Sequence, residues 1–300
     1  MSRVFYIVGP TAVGKSEIAA AVAREAEGEI VSADAFQIYS GLDLLSAKPQ
    51  PAELAAVPHH LLGVVPLSET MDAERFRALA LAAIAGIQAR GKPALVVGGS
   101  GLYLKALTDG LSPLPKASVG LRARLEQLSE MELFVRLARL DPGSARVIDR
   151  QNKRRLIRAV EICLLTGLPA SEQRQRAPVA APPGVLLGRD RAELYQRIDV
   201  RVETMFAQGV VEEVRRAGEV GPTAGQMLGW SQIRALIAGR ISEAACIAAL
   251  QQATRRYAKR QLTWFQRQTS FEPLNLSRTG SSEAVSWIAR QARLAFAQNA

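Results

Sequence analysis

Three rhythms of apolar and polar residues run along this chain. Val4-Phe5-Tyr6-Ile7-Val8 is an unbroken apolar run ending at glycine, which predicts a strand buried on both faces. Ser16-Glu17-Ile18-Ala19-Ala20-Ala21-Val22-Ala23 then reads as an alanine-rich helix. A second strand is predicted over residues 29–34 and ends in an acid, Asp34. Further strands are predicted at 93–99, at Val185-Leu186-Leu187 and at 271–276. Asp72 can cap a long helix through Arg90, with Glu74 in its first turn and Gly91 just past its end. Pro58, His59 and His60 read as a loop.

From 121 to 168 the rhythm is helical, interrupted at Asp141-Pro142-Gly143. Ser112-Pro113-Leu114-Pro115 forbids regular structure ahead of it, and residues 174–184, rich in Pro, Ala and Arg, read as a linker behind it. Helices over 192–217 and 242–268 and a final amphipathic helix complete the chain. The pattern predicts an α/β fold: a P-loop NTPase-like parallel sheet core with a helical insertion domain. Residues 1–112 form the first part of the core, 113–185 the insert and 186–300 the second part.

The strand-to-helix junction carries the clearest chemistry. Gly9-Pro10-Thr11-Ala12-Val13-Gly14-Lys15-Ser16 fits G-x-x-x-x-G-K-[ST] in the context that motif requires. Backbone N–H groups and a helix N-terminus meet oxyanions there; Lys15 adds a charge and Ser16 a ligand for a magnesium ion. P-loop kinases and ATPases place a metal-holding acid at the end of a buried strand. Here Ala94-Leu95-Val96-Val97 ends in Gly98-Gly99-Ser100, and the acid is Asp34 instead. Asp34 reads either as a general base near a bound phosphate or as a turn or helix cap.

Composition narrows the class. With 48% hydrophobic residues the chain can bury a sizeable core, and its two cysteines are too few for a disulfide framework. The longest apolar stretch, near 78–87, is too short to span a bilayer, and Met1-Ser2-Arg3 leads straight into the first strand, so a cytoplasmic protein without a leader is expected. The net charge of +10 is uneven. Residues 113–185 hold thirteen basic against seven acidic groups and residues 250–268 five against none, while 1–112 is near neutral. Two basic segments suit a polyanion such as nucleic acid, or a solvated face. Within the second, Arg255 with Lys259, and Arg256 with Arg260, stand four residues apart; Tyr257, Trp264 and Phe265 read as base-stacking groups or as core. Asn152-Lys153-Arg154-Arg155-Leu156-Ile157-Arg158 offers a second basic helix.

Together these residues resemble the tRNA dimethylallyltransferase family over nearly the whole chain. The resemblance is carried by the P-loop, Asp34-Ala35-Phe36-Gln37-Ile38-Tyr39, Ala47-Lys48-Pro49, Pro58-His59-His60-Leu61, Val97-Gly98-Gly99-Ser100-Gly101-Leu102-Tyr103, Gly110-Leu111-Ser112-Pro113-Leu114-Pro115 and Lys259-Arg260-Gln261-Leu262-Thr263-Trp264-Phe265. Ala35, Leu45-Ser46, Gly63 and Ser100 depart from the family pattern.

The resemblance implies transfer of a dimethylallyl group from its pyrophosphate to the exocyclic N6 amine of the adenosine immediately 3′ of the tRNA anticodon. Asp34, Thr11, Arg201 and Ser100 are then catalytic. Gly9, Pro10, Thr11, Ala12, Val13, Gly14, Lys15 and Ser16 hold the donor pyrophosphate, with Mg2+ on Ser16. Contacts to the anticodon stem-loop fall to Asp34, Ala35, Phe36, Gln37, Ser100, Arg122, Arg154, Arg155, Leu156, Ile157, Arg158, Gln226 and Trp230. Lys259, Arg260, Gln261, Thr263 and Trp264 join them. A monomer is expected. The competing readings are an adenylate isopentenyltransferase, a small-molecule P-loop kinase and a non-catalytic RNA-binding P-loop module.

Overall fold

The computed structural model describes residues 3–173 and 182–298. Six strands form one sheet: β1 (Val4–Val8), β2 (Glu29–Ser32), β3 (His59–His60), β4 (Ala94–Gly98), β5 (Gly184–Gly188) and β6 (Glu272–Asn275). Their order is β3-β2-β4-β1-β5-β6, and every neighbouring pair is parallel.

A parallel sheet covered on both faces demands apolar residues at every position, which is why β1 reads as a continuous run. Val4, Tyr6 and Val8 enter the core on one face, and Phe5 and Ile7 enter the core on the other. The helices of this part are α1 (Lys15–Glu25), α2 (Pro51–Ala56), α3 (Ala73–Ala89) and α4 (Gly101–Thr108). Asp72 caps α3 as expected, accepting the Arg75 N–H at 2.8 Å.

A separate compact unit spans Asp109–Val179, against the 113–185 read from the sequence. Its helices are α5 (Val119–Glu126), α6 (Glu130–Leu140), α7 (Pro142–Val147) and α8 (Lys153–Thr166), packed around Leu125, Leu133, Leu137, Leu156 and Val160. Glu161 is fully buried inside it and accepts from Arg122, Arg158 and the Ser118 N–H. Burial alone would raise this carboxyl; the hydrogen bonds from Arg158, Arg122 and Ser118 hold it below its ordinary value. A buried charge with so many donors specifies how α5 docks on α8.

The first unit continues with α9 (Arg191–Ala207), α10 (Val210–Arg216), a 3-10 turn at Ala224–Gln226, α11 (Trp230–Ile237), α12 (Glu243–Gln268) and α13 (Ser281–Gln298). The single helix expected over 192–217 is two helices, because Gly209 adopts φ 90° and ends the first. Ser242 caps α12 through the Ala245 N–H. Residues 174–181 of the expected linker lie outside the described residues. Gly184 and Val185 pair with β1 and so belong to the sheet.

His59 and His60 form an edge strand rather than a loop, pairing with Ile30 and Val31. His60 Nε2 lies 2.7 Å from Glu29 Oε2, and Arg90 donates to the same buried carboxylate at 2.6 Å. Arg90 is the main cause that brings Glu29 down to about 2. These two histidines brace the start of β2, at the opposite end of that strand from Asp34. No helix among the described residues is long and apolar enough to cross a membrane.

Candidate active site

The C-terminal ends of β1, β2, β4 and β5 bring residues 9–16, Asp34, Ser100 and Arg189 to one edge of the sheet, where open parallel sheets bind ligands. Gly9 is required by close approach: a Cβ there would lie 2.6 Å from Leu187 O. Gly14 adopts φ 102° and starts α1 with no side-chain cap, so the first N–H groups of the helix are left for an anion.

The carbonyls of the loop face arginines from the far side of the sequence. Arg197 Nε donates to Ala12 O at 2.9 Å, and Arg189 Nε to Val13 O at 2.8 Å. In a trans peptide the C=O and the following N–H point in opposite directions, so these bonds turn the Val13 and Gly14 N–H groups the other way. Arg201 Nη1 reaches Thr11 Oγ1 at 3.4 Å and Nη2 donates to Ala47 O at 3.2 Å. Neither Arg189 nor Arg197 was singled out in the sequence. The i,i+4 pair Arg197 and Arg201 on α9 was the available signal for one of them.

Lys15 Nζ folds back onto Gly9 O at 3.0 Å and Pro10 O at 2.8 Å. Burial pulls its ammonium down to about 8, against the upward pull of Asp34 and with Arg201 adding to the fall. The charged form grips an anion and exists below that value. We therefore expect kcat/KM for an anionic donor to fall as pH rises through about 8, and Lys15→Arg, which stays charged, to flatten that limb. A limb unchanged in the variant would separate it from Lys15.

Asp34 Oδ1 accepts the N–H groups of Phe36 at 2.9 Å and Gln37 at 3.3 Å, which orients the carboxylate. The turn is held from outside by Ser100 Oγ, which accepts the Ala35 N–H at 2.8 Å, so Ser100 buttresses the acid from a buried position. Gln37 accepts from Ser32 Oγ and donates to Ala47 O at 2.9 Å, the carbonyl that Arg201 also uses.

The paired glycines of the β4 end answer to packing. A Cβ on Gly98 would lie 2.2 Å from Ala33 O, one on Gly99 would lie 2.4 Å from Gln261 Nε2, and one on Gly101 2.5 Å from the Trp264 ring. The run is therefore the seat of α12. Gln261, 6% exposed, accepts the Thr11 N–H at 2.8 Å and donates to Gly99 O at 2.9 Å.

These groups surround a cavity of about 740 Å3. Thr11, Lys15, Ser16, Asp34, Arg197 and Arg201 make a polar end, and Val200, Met205, Met227, Leu228 and Leu250 give it an apolar wall. Among the described residues no group of three or more His, Cys, Asp and Glu side chains could hold a metal by itself. Ser16 alone suits an ion such as Mg2+, which keeps most of its waters and takes other ligands from substrate phosphates.

Other expected contacts fall elsewhere. Leu156 and Ile157 are buried in the core of the 109–179 unit, because the basic helix α8 turns its apolar stripe inward, so their side chains cannot touch RNA. The Arg122 and Arg158 guanidiniums are engaged by Glu161, while Arg154 and Arg155 are exposed. Arg255 pairs with Asp199, whereas Lys259 and Arg260 are exposed on α12. Gln226 is exposed and Trp230 half-buried beside Arg234. Lys48 pairs with Asp43 at 2.5 Å, and a Cβ on Gly63 would lie 3.1 Å from its Nζ.

The family model for IPP transferases matches residues 37–268. The chain belongs to the IPP transferase family, and so is an enzyme. It is 40% identical over 299 residues to the tRNA dimethylallyltransferase of Roseiflexus, covering 95% of this chain and 97% of that one. It is 44% identical to that of Myxococcus xanthus, covering 87% and 89%. Among solved structures it resembles the tRNA delta(2)-isopentenylpyrophosphate transferase of Staphylococcus epidermidis, with TM-score 0.71, 31% identity and coverage of 97% and 98%. A eukaryotic dimethylallyltransferase acting on tRNA superimposes with TM-score 0.81 at 26% identity, covering 100% of this chain and 80% of that one. The P-loop itself, residues 9–16, lies ahead of the matched IPP transferase segment.

Proposed function

We propose that this IPP transferase moves a dimethylallyl group from dimethylallyl pyrophosphate to the N6 amine of the adenosine immediately 3′ of the anticodon in tRNA. The observation that carries this reading is one cavity lined by the P-loop, by the Asp34 carboxylate just past the end of β2 and by an apolar wall.

The loop N–H groups, Lys15 and Arg201 bind the pyrophosphate, and Met205, Met227 and Leu250 receive the hydrocarbon. The amine nitrogen attacks the allylic carbon, the carbon–oxygen bond breaks, and the electron pair leaves with pyrophosphate. Thr11 and Arg201 stabilise that growing charge in a site where such interactions are strong. Asp34 takes the proton that the amine loses, which matters because its lone pair is conjugated with the ring. Ser100 holds the turn that carries Asp34. Mg2+, held by Ser16 and the pyrophosphate, would supply further neutralisation of the leaving group.

The target base must leave its stack to reach the cavity, which an unpaired anticodon loop permits at low cost. The basic surfaces of α8 and α12, through Arg154, Arg155, Lys259 and Arg260, are the phosphate contacts of this reading, with Trp264 beside them. Enzyme and tRNA meet in the cytoplasm, and one chain makes one site.

The test offers labelled dimethylallyl pyrophosphate and Mg2+ with either AMP or unmodified tRNA carrying adenosine beside the anticodon. Label entering only the tRNA is expected. Label on AMP alone would make the chain an adenylate isopentenyltransferase and overturn the reading.

A further inference from the structure

We infer that Gln261 is a positioning residue that sets the donor loop against the acceptor side of the site, rather than one of the contacts of α12 to the tRNA backbone. The inference rests on the prenyl-transfer reading above. Gln261 belongs to the basic helix α12, yet its side chain points away from the exposed Lys259 and Arg260 and is buried.

Both ends of its amide are committed. Oε1 accepts from Thr11 N on the P-loop, 250 positions away in sequence, and Nε2 donates to Gly99 O, directly before Ser100. Gly99 is glycine because any Cβ would collide with that same Nε2. Ser100 in turn holds Ala35 and hence the Asp34 turn. One side chain thus spans the segment that grips the leaving group and the segment that leads to the base.

The chemistry of an amide predicts a distinctive behaviour. A carboxylate at 261 can still accept from Thr11 N–H but repels Gly99 O; a protonated carboxyl accepts with one oxygen and donates with the other, as glutamine does. Activity of Gln261→Glu, as a ratio to wild type, is therefore expected to rise as pH falls. The charged and titratable groups that line the cavity, Lys15, Glu17, Asp34, Asp43, Lys48, Glu53, Arg197, Arg201 and Tyr257, are present in both proteins, so the ratio reads what the change at 261 adds, its effect on those neighbours included.

The experiment measures kcat, both KM values and separately the Kd for tRNA in wild type, Gln261→Met and Gln261→Glu between pH 6 and 9. Gln261→Met is expected to lose about 100-fold in kcat, as misplacement of reacting groups does, with tRNA Kd unchanged. Gln261→Glu recovers toward wild type at the acid end. Weakened tRNA binding with kcat retained, or full activity of Gln261→Met, overturns the inference. If Gln261→Met does not fold, Gln261→Glu decides alone: a ratio independent of pH overturns it. Wild-type turnover on tRNA is the control, since its absence would instead defeat the prenyl-transfer reading.

Discussion

Asp34→Asn lowers kcat for tRNA prenylation about 1,000-fold, in the range expected for loss of a general base, and leaves the Kd for tRNA unchanged. Asparagine keeps the Oδ1 that accepts Phe36 N–H and Gln37 N–H, so the turn survives while the proton acceptor is removed. Asp34→Ala removes the turn as well, while both variants strip away the field that favours the Lys15 ammonium. Both variants therefore lose donor affinity above neutral pH, and Asp34→Ala alone loses it below neutral pH as well, because the turn that orders residues 34–37 is gone. Steady-state kinetics with tRNA and donor varied separately distinguish the two variants. Turnover retained in Asp34→Asn would remove Asp34 from the chemistry and leave it a turn residue.

Gly98→Ala is expected to damage both fold and turnover. The added methyl group would stand 2.2 Å from Ala33 O, and both partners are backbone, so no side chain can swing aside. The neighbouring ladder is tight, with Ala33 N donating to Val97 O at 2.7 Å. Overpacking of this kind costs about 1–3 kcal/mol, which lowers the Tm of a chain of this size by about 2–5 °C. Ala33 immediately precedes Asp34, so the same shift moves the base, and kcat falls beyond what unfolded protein explains. Gly120→Ala is the control, because nothing lies within 4 Å of its added methyl group. Thermal melts and kinetics of the two variants together test the assignment; an unaltered Tm in Gly98→Ala would contradict the packing argument.

The amino-acid sequence by itself determined the elements that depend on neighbours in the chain. Apolar runs bounded by glycine placed β1, β2, β4 and β5, capping chemistry placed α3, and the motif at residues 9–16 placed the loop that joins β1 to α1, because each rests on contacts within a turn or two. The seven motif runs taken together, from the P-loop to residues 259–265, were likewise enough to point to the family. Periodicity overran at Gly209, where a single left-handed residue ends a helix whose hydrophobic pattern continues. The resemblance also carried Leu156 and Ile157 into the tRNA contacts, where a linear match does not say which side of a helix faces the core.

What only the tertiary structure decided are the partnerships between distant segments. Arg189 and Arg197 orient P-loop carbonyls more than 170 positions away, Gln261 bridges Thr11 and Gly99, and Glu161 claims Arg122 from another helix. In each case a buried polar group must find a partner, and the fold brings one within reach. The glycines of residues 98–101 stand in sequence where P-loop kinases carry a metal-holding acid. In three dimensions they are the clearance that lets β2 and α12 close on the β4 end, which fixes where the acid, the hydroxyl and the donor loop stand relative to one another.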